Sequence, residues 1–252
     1  EFTMKEPYML EGLNSWKEYM VQNTTEEKKN VLQNKDFRKK FINEILDTTK
    51  NKLFVGNWDK IKLIKNKEKK LLKYIGKNLL EISNYYKKEP FDWLLDNAID
   101  KGLEDLFAAE LLNSDLKSVQ KLLKHKYATV ALSDAGAHTS LLCDAGYALE
   151  LLSKWTRELK VFSLEEAIYN LTGKQADICR IPKRGRLVPG YFADMLLIDP
   201  NKINSSNSYR VNDLPANSER LLVDPIGIKE IWVNGINKNQ KSAGKLIREY
   251  LS

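Results

Sequence analysis

A nine-residue stretch, VALSDAGAH at residues 130–138, constrains the fold of this chain more than any other feature. An apolar run of strand type ends there at a single aspartate, Asp134, and small residues follow it directly. Strands of a parallel barrel end in this manner where they deliver a carboxylate to the mouth of an active site. The stretch therefore predicts a strand over residues 128–133 and a functional carboxylate at Asp134.

Helix-capping residues and apolar periodicity predict helices through the first two thirds of the chain. Pro90 and Gly102 enclose an apolar face of helical spacing, so a helix is predicted between them. A long helix is predicted along the apolar stripe that runs from Leu141 to Trp155. Capping boxes are predicted for three pairs: Thr24 with Glu27, Asn78 with Glu81, and Ser163 with Glu166.

The predicted strands fall into two groups. Before Gly173, short strand candidates lie at 53–55 and 61–64. From residue 105 onward, strands at 105–109 and 128–133 alternate with helices, a pattern that is typical of a parallel sheet with right-handed crossovers. After Gly173, strands at 195–198 and 228–233 come with turn residues, among them Asn234 and Gly235. The C-terminal part is therefore predicted to be antiparallel β structure.

Composition and charge exclude several classes of partner. The net charge is +7, but the lysines are interspersed with acids, and the densest run, KNKEKKLLK at 65–73, has little aromatic interleaving. Nucleic-acid binding is therefore not expected. No apolar run is long enough to span a membrane, and the N-terminus has no signal-peptide pattern, so we expect a soluble cytoplasmic protein with no membrane partner.

Four segments, in this order, resemble the C-terminal half of the amidohydrolase superfamily. The most similar branch is the D-aminoacylase or N-acyl-D-amino-acid deacylase type, and PYMLEGLNSWKEYM at 7–20 resembles it more loosely. The four segments are VALSDAGAH (130–138), SLEEAIYNLTGKQADI (163–178), RGRLVPGYFADMLLIDP (184–200) and IKEIWVNG (228–235).

The resemblance implies an α/β fold in three parts. Residues 1–50 are predicted to be a helical cap or insertion, because Phe37, Phe41 and Ile45 recur at helical spacing after the capping box at Thr24. Residues 51–178 form the C-terminal part of a (β/α)8 barrel of the TIM type, limited to its last two or three strand–helix units, because a full barrel takes about 250 residues. Residues 179–252 form a small β-sandwich unit.

The resemblance also assigns a role to Asp134. In such enzymes this carboxylate touches zinc or another divalent metal and accepts a proton from the metal-bound water that attacks the amide. Ser133 and His138 are expected beside the site. Other interpretations remain open: Asp134 as a turn or helix-capping residue, His138 as a loop residue, and Asp194 as a residue that fixes a turn.

Most of the metal site that the resemblance implies has no counterpart in this sequence. The family's centre needs an HxH motif, whereas this chain has two histidines, His125 and His138, thirteen residues apart. No Arg or Lys stands between Asp134 and Lys154 to bind a substrate carboxylate. We therefore expect no zinc or other cofactor in this chain by itself.

These observations predict a C-terminal fragment of a metal-dependent amidohydrolase that is inactive alone. The intact enzyme would hydrolyse the C–N bond of a small N-acyl amino acid or another amide. A partial barrel leaves a sheet edge and apolar faces open, which predicts self-association. Two alternatives remain open: a non-catalytic binding or assembly module, and a subunit that complements a separately encoded N-terminal half.

Overall fold

The computed structural model describes residues 1–49, 51–131, 133, 135–137, 139–240 and 243–248. The chain combines helices and sheets and divides into two compact units, Glu1–Leu116 and Lys117–Ser252. The mixed α and β content agrees with the sequence analysis. The division into 1–50, 51–178 and 179–252 remains a prediction.

The first unit packs helices around a small antiparallel sheet. Its strands are β1 (Phe2–Thr3), β2 (Ile61–Lys65) and β3 (Leu106–Ala109), in the order β1-β3-β2. Its helices are α1 (Lys17–Met20), α2 (Thr25–Gln33), α3 (Lys35–Leu46), α4 (Leu79–Tyr86) and α5 (Pro90–Lys101).

Local signals decide where these helices begin and end. The capping boxes predicted at Thr24 and Asn78 are both present, and each satisfies backbone N–H groups that the first helical turn leaves without partners. Pro90 opens α5, and the helix ends at Gly102, which has a left-handed backbone with φ of 73°. The helix predicted between Pro90 and Gly102 is thus confirmed.

The core of the first unit is rich in aromatic side chains. Trp16 packs edge-on against Phe37 and Phe41, in each case with 5.4 Å between ring centroids. Phe2 on β1 stacks on Phe107 of the neighbouring β3 at 5.5 Å. These buried rings draw the first strand, the three helices of residues 17–46 and the sheet into a single core.

The second unit contains the four segments that carry the resemblance. Its helices are α6 (Leu116–Leu123), which begins at the boundary, α7 (Tyr147–Glu150), continued by a π-helix over Leu151–Glu158, α8 (Leu164–Leu171) and α9 (Gly173–Ile178). Its strands are β4 (Met195–Ile198), β5 (Asn204–Ser205), β6 (Tyr209–Leu214), β7 (Ser218–Leu222), β8 (Pro225–Ile226), β9 (Ile228–Val233) and β10 (Ile236–Asn237).

The antiparallel structure predicted after Gly173 is confirmed. β4 and β9 occupy the predicted positions and pair antiparallel, with Leu196 opposite Ile231. Asn234 and Gly235 both have positive φ, as a two-residue hairpin turn requires, and they connect β9 to β10. A β-sandwich remains a prediction.

The predicted parallel sheet is not found: every ladder between described strands is antiparallel. Residues 128–131 and Ser133 have no regular secondary structure, so the strand predicted at 128–133 is wrong for them. The backbone of a strand needs a neighbouring strand for its hydrogen bonds. Here, side chains of α9 donate hydrogen bonds to the carbonyl oxygens of Ala128 and Val130 instead.

Two smaller predictions also need correction. Residues 53–55 form a loop, because Gly56 turns the backbone with a φ of 85° immediately after them. The helix predicted from Leu141 begins only at Tyr147, after Gly146, which lies too close to Ser205 to carry a side chain. Among the described residues, none of the helices has both the length and the apolar character needed to cross a bilayer.

Candidate functional site

The candidate site is the segment of residues 128–140, which the sequence singled out. Asp134 and His138 lie outside the described residues, so their predicted roles remain predictions. Ser133 is half-buried, and its hydroxyl oxygen accepts a hydrogen bond from the backbone N–H of Ala135 at 3.3 Å. Residues 135–137 are exposed. The segment therefore presents small residues to solvent beside the predicted aspartate.

Helix α9 holds the beginning of this segment through two adjacent side chains. The Lys174 ammonium donates to the carbonyl oxygen of Ala128 at 2.5 Å. The Gln175 amide donates to the carbonyl oxygen of Val130 at 2.9 Å and also contacts the hydroxyl of Thr129. Side-chain donors thus satisfy the backbone acceptors that a sheet would otherwise satisfy.

The β6–β7 hairpin holds the other end of the segment. The backbone N–H of Leu221 on β7 donates to the carbonyl oxygen of Thr139 at 2.9 Å. The Arg210 guanidinium on β6 donates to the carbonyl oxygen of Ser140 at 3.2 Å and to the Glu219 carboxylate. The segment is therefore anchored on both sides of the position that Asp134 occupies in the sequence.

Helix α9 also binds the third segment of the resemblance, residues 184–200. Asp177 and Arg186 form a two-pronged ion pair with N–O distances of 2.8 and 2.5 Å. Hydrogen bonding to Arg186 lowers the pKa of the Asp177 carboxyl below its usual range. Gly185 lies against α8 and α9, because a Cβ there would stand 2.7 Å from that of Ala176. One short helix thus joins the first segment to the third.

The third segment is in turn joined to the fourth at a turn. Asp194 accepts a hydrogen bond from the backbone N–H of Asn234 at 2.8 Å and forms an ion pair with Arg184. Arg184 donates to the Asn234 side chain at 2.8 Å. The hypothesis that Asp194 fixes a turn is confirmed by these contacts.

The capping box that opens the second segment of the resemblance has an electrostatic component. The Glu166 carboxylate accepts a hydrogen bond from the backbone N–H of Ser163 at 2.9 Å and lies 3.5 Å from the Lys124 ammonium. The backbone hydrogen bond, followed by the lysine charge, lowers the pKa of Glu166 below its usual range. The N-terminus of α8 is thus stabilised by an ionised carboxylate.

The described residues do not fit a divalent metal. No group of three or more His, Cys, Asp or Glu side chains lies close enough together to hold an ion anywhere in the part of the chain that the structure describes. His125 is exposed after α6, where its ring contacts Tyr127, with 5.7 Å between ring centroids. The described residues therefore offer no histidine-rich ligand set of the kind that the resemblance implies.

Sequence analysis did not identify Lys174 and Gln175 as residues that hold the site. One local signal was present: Asn170, near the end of α8, precedes Lys174 by four residues, and its side-chain oxygen accepts from the ammonium at 3.3 Å. The acceptors of the first segment, Ala128 and Val130, are more than forty residues away along the chain. Pairing over such a distance leaves no trace in local periodicity.

Comparison with known proteins places the chain beside one group of enzymes. No family model matches it. The chain is 33% identical over 90 residues to N-acyl-D-aspartate deacylase of Alcaligenes xylosoxydans xylosoxydans, and the match covers 36% of this chain and 16% of that protein. It is 30% identical over 93 residues to D-aminoacylase of the same organism, covering 37% and 17%.

A crystal structure of D-aminoacylase, described as defining a subset of amidohydrolases, aligns with 70% of this chain and 34% of its own, at 24% identity and a TM-score of 0.39. The chain spans about a sixth of the length of the curated relatives that it matches. The predicted resemblance to the D-aminoacylase-like branch is confirmed for the part of the chain that these relatives cover.

Proposed function

We propose that this chain carries the C-terminal part of a metal-dependent amidohydrolase that hydrolyses the amide bond of an N-acyl amino acid. Asp134 is its proton-accepting carboxylate, and Ser133 and His138 stand beside it. We assign residues 51–178 by sequence to the region of the last strand–helix units of the barrel, although their described strands form no parallel sheet in this chain, and residues 179–252 to the β-sandwich unit. The metal, zinc or another divalent ion, belongs to the intact enzyme.

The observation that carries this proposal is the physical linkage of the four segments of the resemblance. Helix α9 lies within the second segment, and it binds the first through Gln175 and the third through Asp177. The third and fourth segments pair as β4 and β9 and share the turn that Asp194 fixes. Four segments that contact one another within one unit support derivation from the same part of one enzyme. Four matches without such contacts would support it less.

This chain does not complete the metal centre by itself in our proposal. Its two histidines cannot supply an HxH motif, and the described residues hold no cluster of ligands. The missing ligands come from an N-terminal half, whether in the same polypeptide or in a separate one. Hydrolysis therefore depends on residues that this sequence does not include.

Among the described strands, β4 has a neighbour on one side only, and this sheet edge supports association with such a partner or with a second copy. β4 is the outer strand of the β10-β9-β4 sheet, and its Leu196 and Leu197 are 58% and 46% exposed. An unpaired edge with apolar side chains is a site for pairing with another strand. Light scattering after size-exclusion chromatography tests this: the association that we propose predicts a mass above 29.1 kDa, and a monomer that persists at high concentration argues against self-association.

The test of the function is a complementation assay. The chain is produced alone and together with an HxH-bearing N-terminal half of a D-aminoacylase, and hydrolysis of N-acetyl-D-amino acids is measured in both samples. We expect activity only in the mixture and only with Asp134 intact, so Asp134→Asn is the matched control. Activity of the chain alone, or activity of the mixture that survives Asp134→Asn, argues against the proposal.

A further inference from the structure

The first unit contains an apolar cavity of about 430 Å3 that the proposed hydrolase does not use. Its walls come from α3, α4, the start of α5 and the short helical turn at Trp58–Lys60. The volume lies within the range of about 300–1,000 Å3 that is typical of small-molecule sites. The side chains that matter below are Phe41, Ile45, Leu46, Trp58, Leu80 and Glu89.

The deep wall of this cavity is preformed. Phe41 is fully buried and packs edge-on against Trp16 and Phe91, with ring centroids 5.4 and 6.2 Å apart. Trp58 packs edge-on against Phe54 at 4.8 Å. Phe41 thus fixes the floor of the cavity from behind, and the partly exposed Trp58 ring, held by Phe54, loses little freedom when a ligand covers it.

The rim of the cavity is apolar but exposed. Leu80 on α4 remains 43% exposed, and Leu46, the last residue of α3, is still more open to solvent. Gly56 brings the neighbouring loop close to α3, because a Cβ at this position would stand 3.0 Å from Ile45. Apolar side chains that surround a concavity mark a place where an apolar group gains contacts and leaves water.

Glu89 is the one charged residue that lines this cavity in the described part of the chain. It occupies the capping position of α5, but its carboxylate makes no capping hydrogen bond, and no described residue pairs with it. Lys88, which precedes Glu89 in the sequence, is paired with Asp96, so Glu89 is the unpaired charge among the described lining residues, and the positive end of α5 offsets about half of it. This favours a cationic group over an anionic one at the mouth.

We propose that this cavity binds an organic cation, namely a primary amine on an aryl-alkyl body. The apolar body lies against the exposed parts of Leu46, Trp58 and Leu80, above the buried floor, and the ammonium remains at the rim beside Glu89. The net charge of the whole chain is +7, which attracts anions in general. A preference for a cation therefore has to come from this site itself and not from the net charge.

The test uses two probes that share a body and differ in charge, 4-phenylbutylamine and 4-phenylbutyrate. Their affinities for the full chain are measured by titration calorimetry and ligand-observed NMR. We expect the amine to bind more tightly than the carboxylate. Glu89→Gln should weaken amine binding about two- to fivefold, the effect of one partly exposed charge pair, and should leave the carboxylate unchanged or improved.

Two further variants separate charge from shape. Leu80→Ala removes apolar wall at an exposed position and should weaken both probes by a similar factor. Glu26→Gln removes an exposed charge on α2, outside the cavity lining, and should change neither affinity. The proposal is overturned if neither probe binds, if the two bind equally, or if the preference for the amine survives Glu89→Gln.

Discussion

The ammonium of Lys174 donates to the carbonyl oxygen of Ala128 at 2.5 Å, so a helix side chain occupies a backbone acceptor that a strand partner would otherwise use. Together with Gln175, this contact holds the described residues 128–130 in place of a strand partner. The segment depends on α9 for its conformation, and changes in α9 should therefore alter it.

Gln175→Ala should loosen the segment before Asp134. The Gln175 amide donates to the carbonyl oxygens of Val130 and Asn170, both at 2.9 Å, and these acceptors lose a donor in the variant. We expect the free energy of unfolding to fall by about 1–2 kcal/mol and amide exchange to become faster at residues 128–131. Gln120→Ala, on an exposed face of α6, is the control. Equal exchange rates in the two variants contradict this role of Gln175.

Asp194→Ala should destabilise the second unit. The variant loses the acceptor for the Asn234 N–H and the partner of Arg184, whose side chain is only 15% exposed. A partly buried guanidinium without a carboxylate is costly, so we expect a loss on the order of 2–3 kcal/mol in chemical denaturation.

The matched control for this variant is Asp213→Ala. Asp213 pairs with Arg220 at 2.6 and 2.7 Å on the exposed β6–β7 hairpin. An exposed pair contributes about 0–1 kcal/mol, so this variant should be close to wild type. If the two variants lose equal stability, the turn at Asn234 does not depend on Asp194.

Gly185→Ala should be much more harmful than Gly190→Ala. Both glycines have positive φ, 78° and 84°, so both variants carry a similar backbone strain. A Cβ at Gly185 would also stand 2.9 Å from the carbonyl oxygen of Thr172, whereas nothing lies within 4 Å of one at Gly190. We expect a further loss of about 1–3 kcal/mol at Gly185 in thermal or urea unfolding. Similar losses at both positions contradict the close packing on α8 and α9.

Asp105 should make the stability of the first unit fall as pH rises. Burial raises the pKa of its carboxyl above the usual range, although the Asn97 amide donates to it at 2.5 Å. The folded state therefore holds the proton more tightly than the unfolded chain does. The stabilising contribution of protonation is fully present below the ordinary pKa and is lost as pH rises through the raised one.

Asp105→Asn removes this titration. Measured against wild type in urea at a series of pH values from about 3 to 7, the variant should become relatively more stable as pH increases. Asp100→Asn, on the exposed side of α5, controls for the change in net charge. A difference between wild type and Asp105→Asn that does not vary with pH contradicts the raised pKa.

Local signals in the sequence predicted local structure correctly. The capping boxes at Thr24, Asn78 and Ser163 are present because the interacting groups are three residues apart. The hairpin turn at Asn234 and Gly235 follows from residues that tolerate positive φ. These features depend on nearest neighbours, which a single sequence displays directly.

Features that depend on distant partners were predicted less well. The apolar run before Asp134 has strand composition, but a strand forms only beside another strand, and α9 holds its described residues instead. β3 was predicted correctly, yet its neighbours are β1 and β2, both antiparallel. The cavity beside Glu89 was not predicted at all, because three helices and a loop must assemble before it exists.

The zinc content of the purified chain after extensive dialysis tests the central claim most directly. The claim is that Asp134 belongs to a metal amidohydrolase whose remaining ligands lie outside this sequence. It predicts far less than one zinc per chain, with the same value for Asp134→Asn. One zinc retained per chain and lost in Asp134→Asn, together with hydrolysis of N-acetyl-D-amino acids by the chain alone, would contradict it.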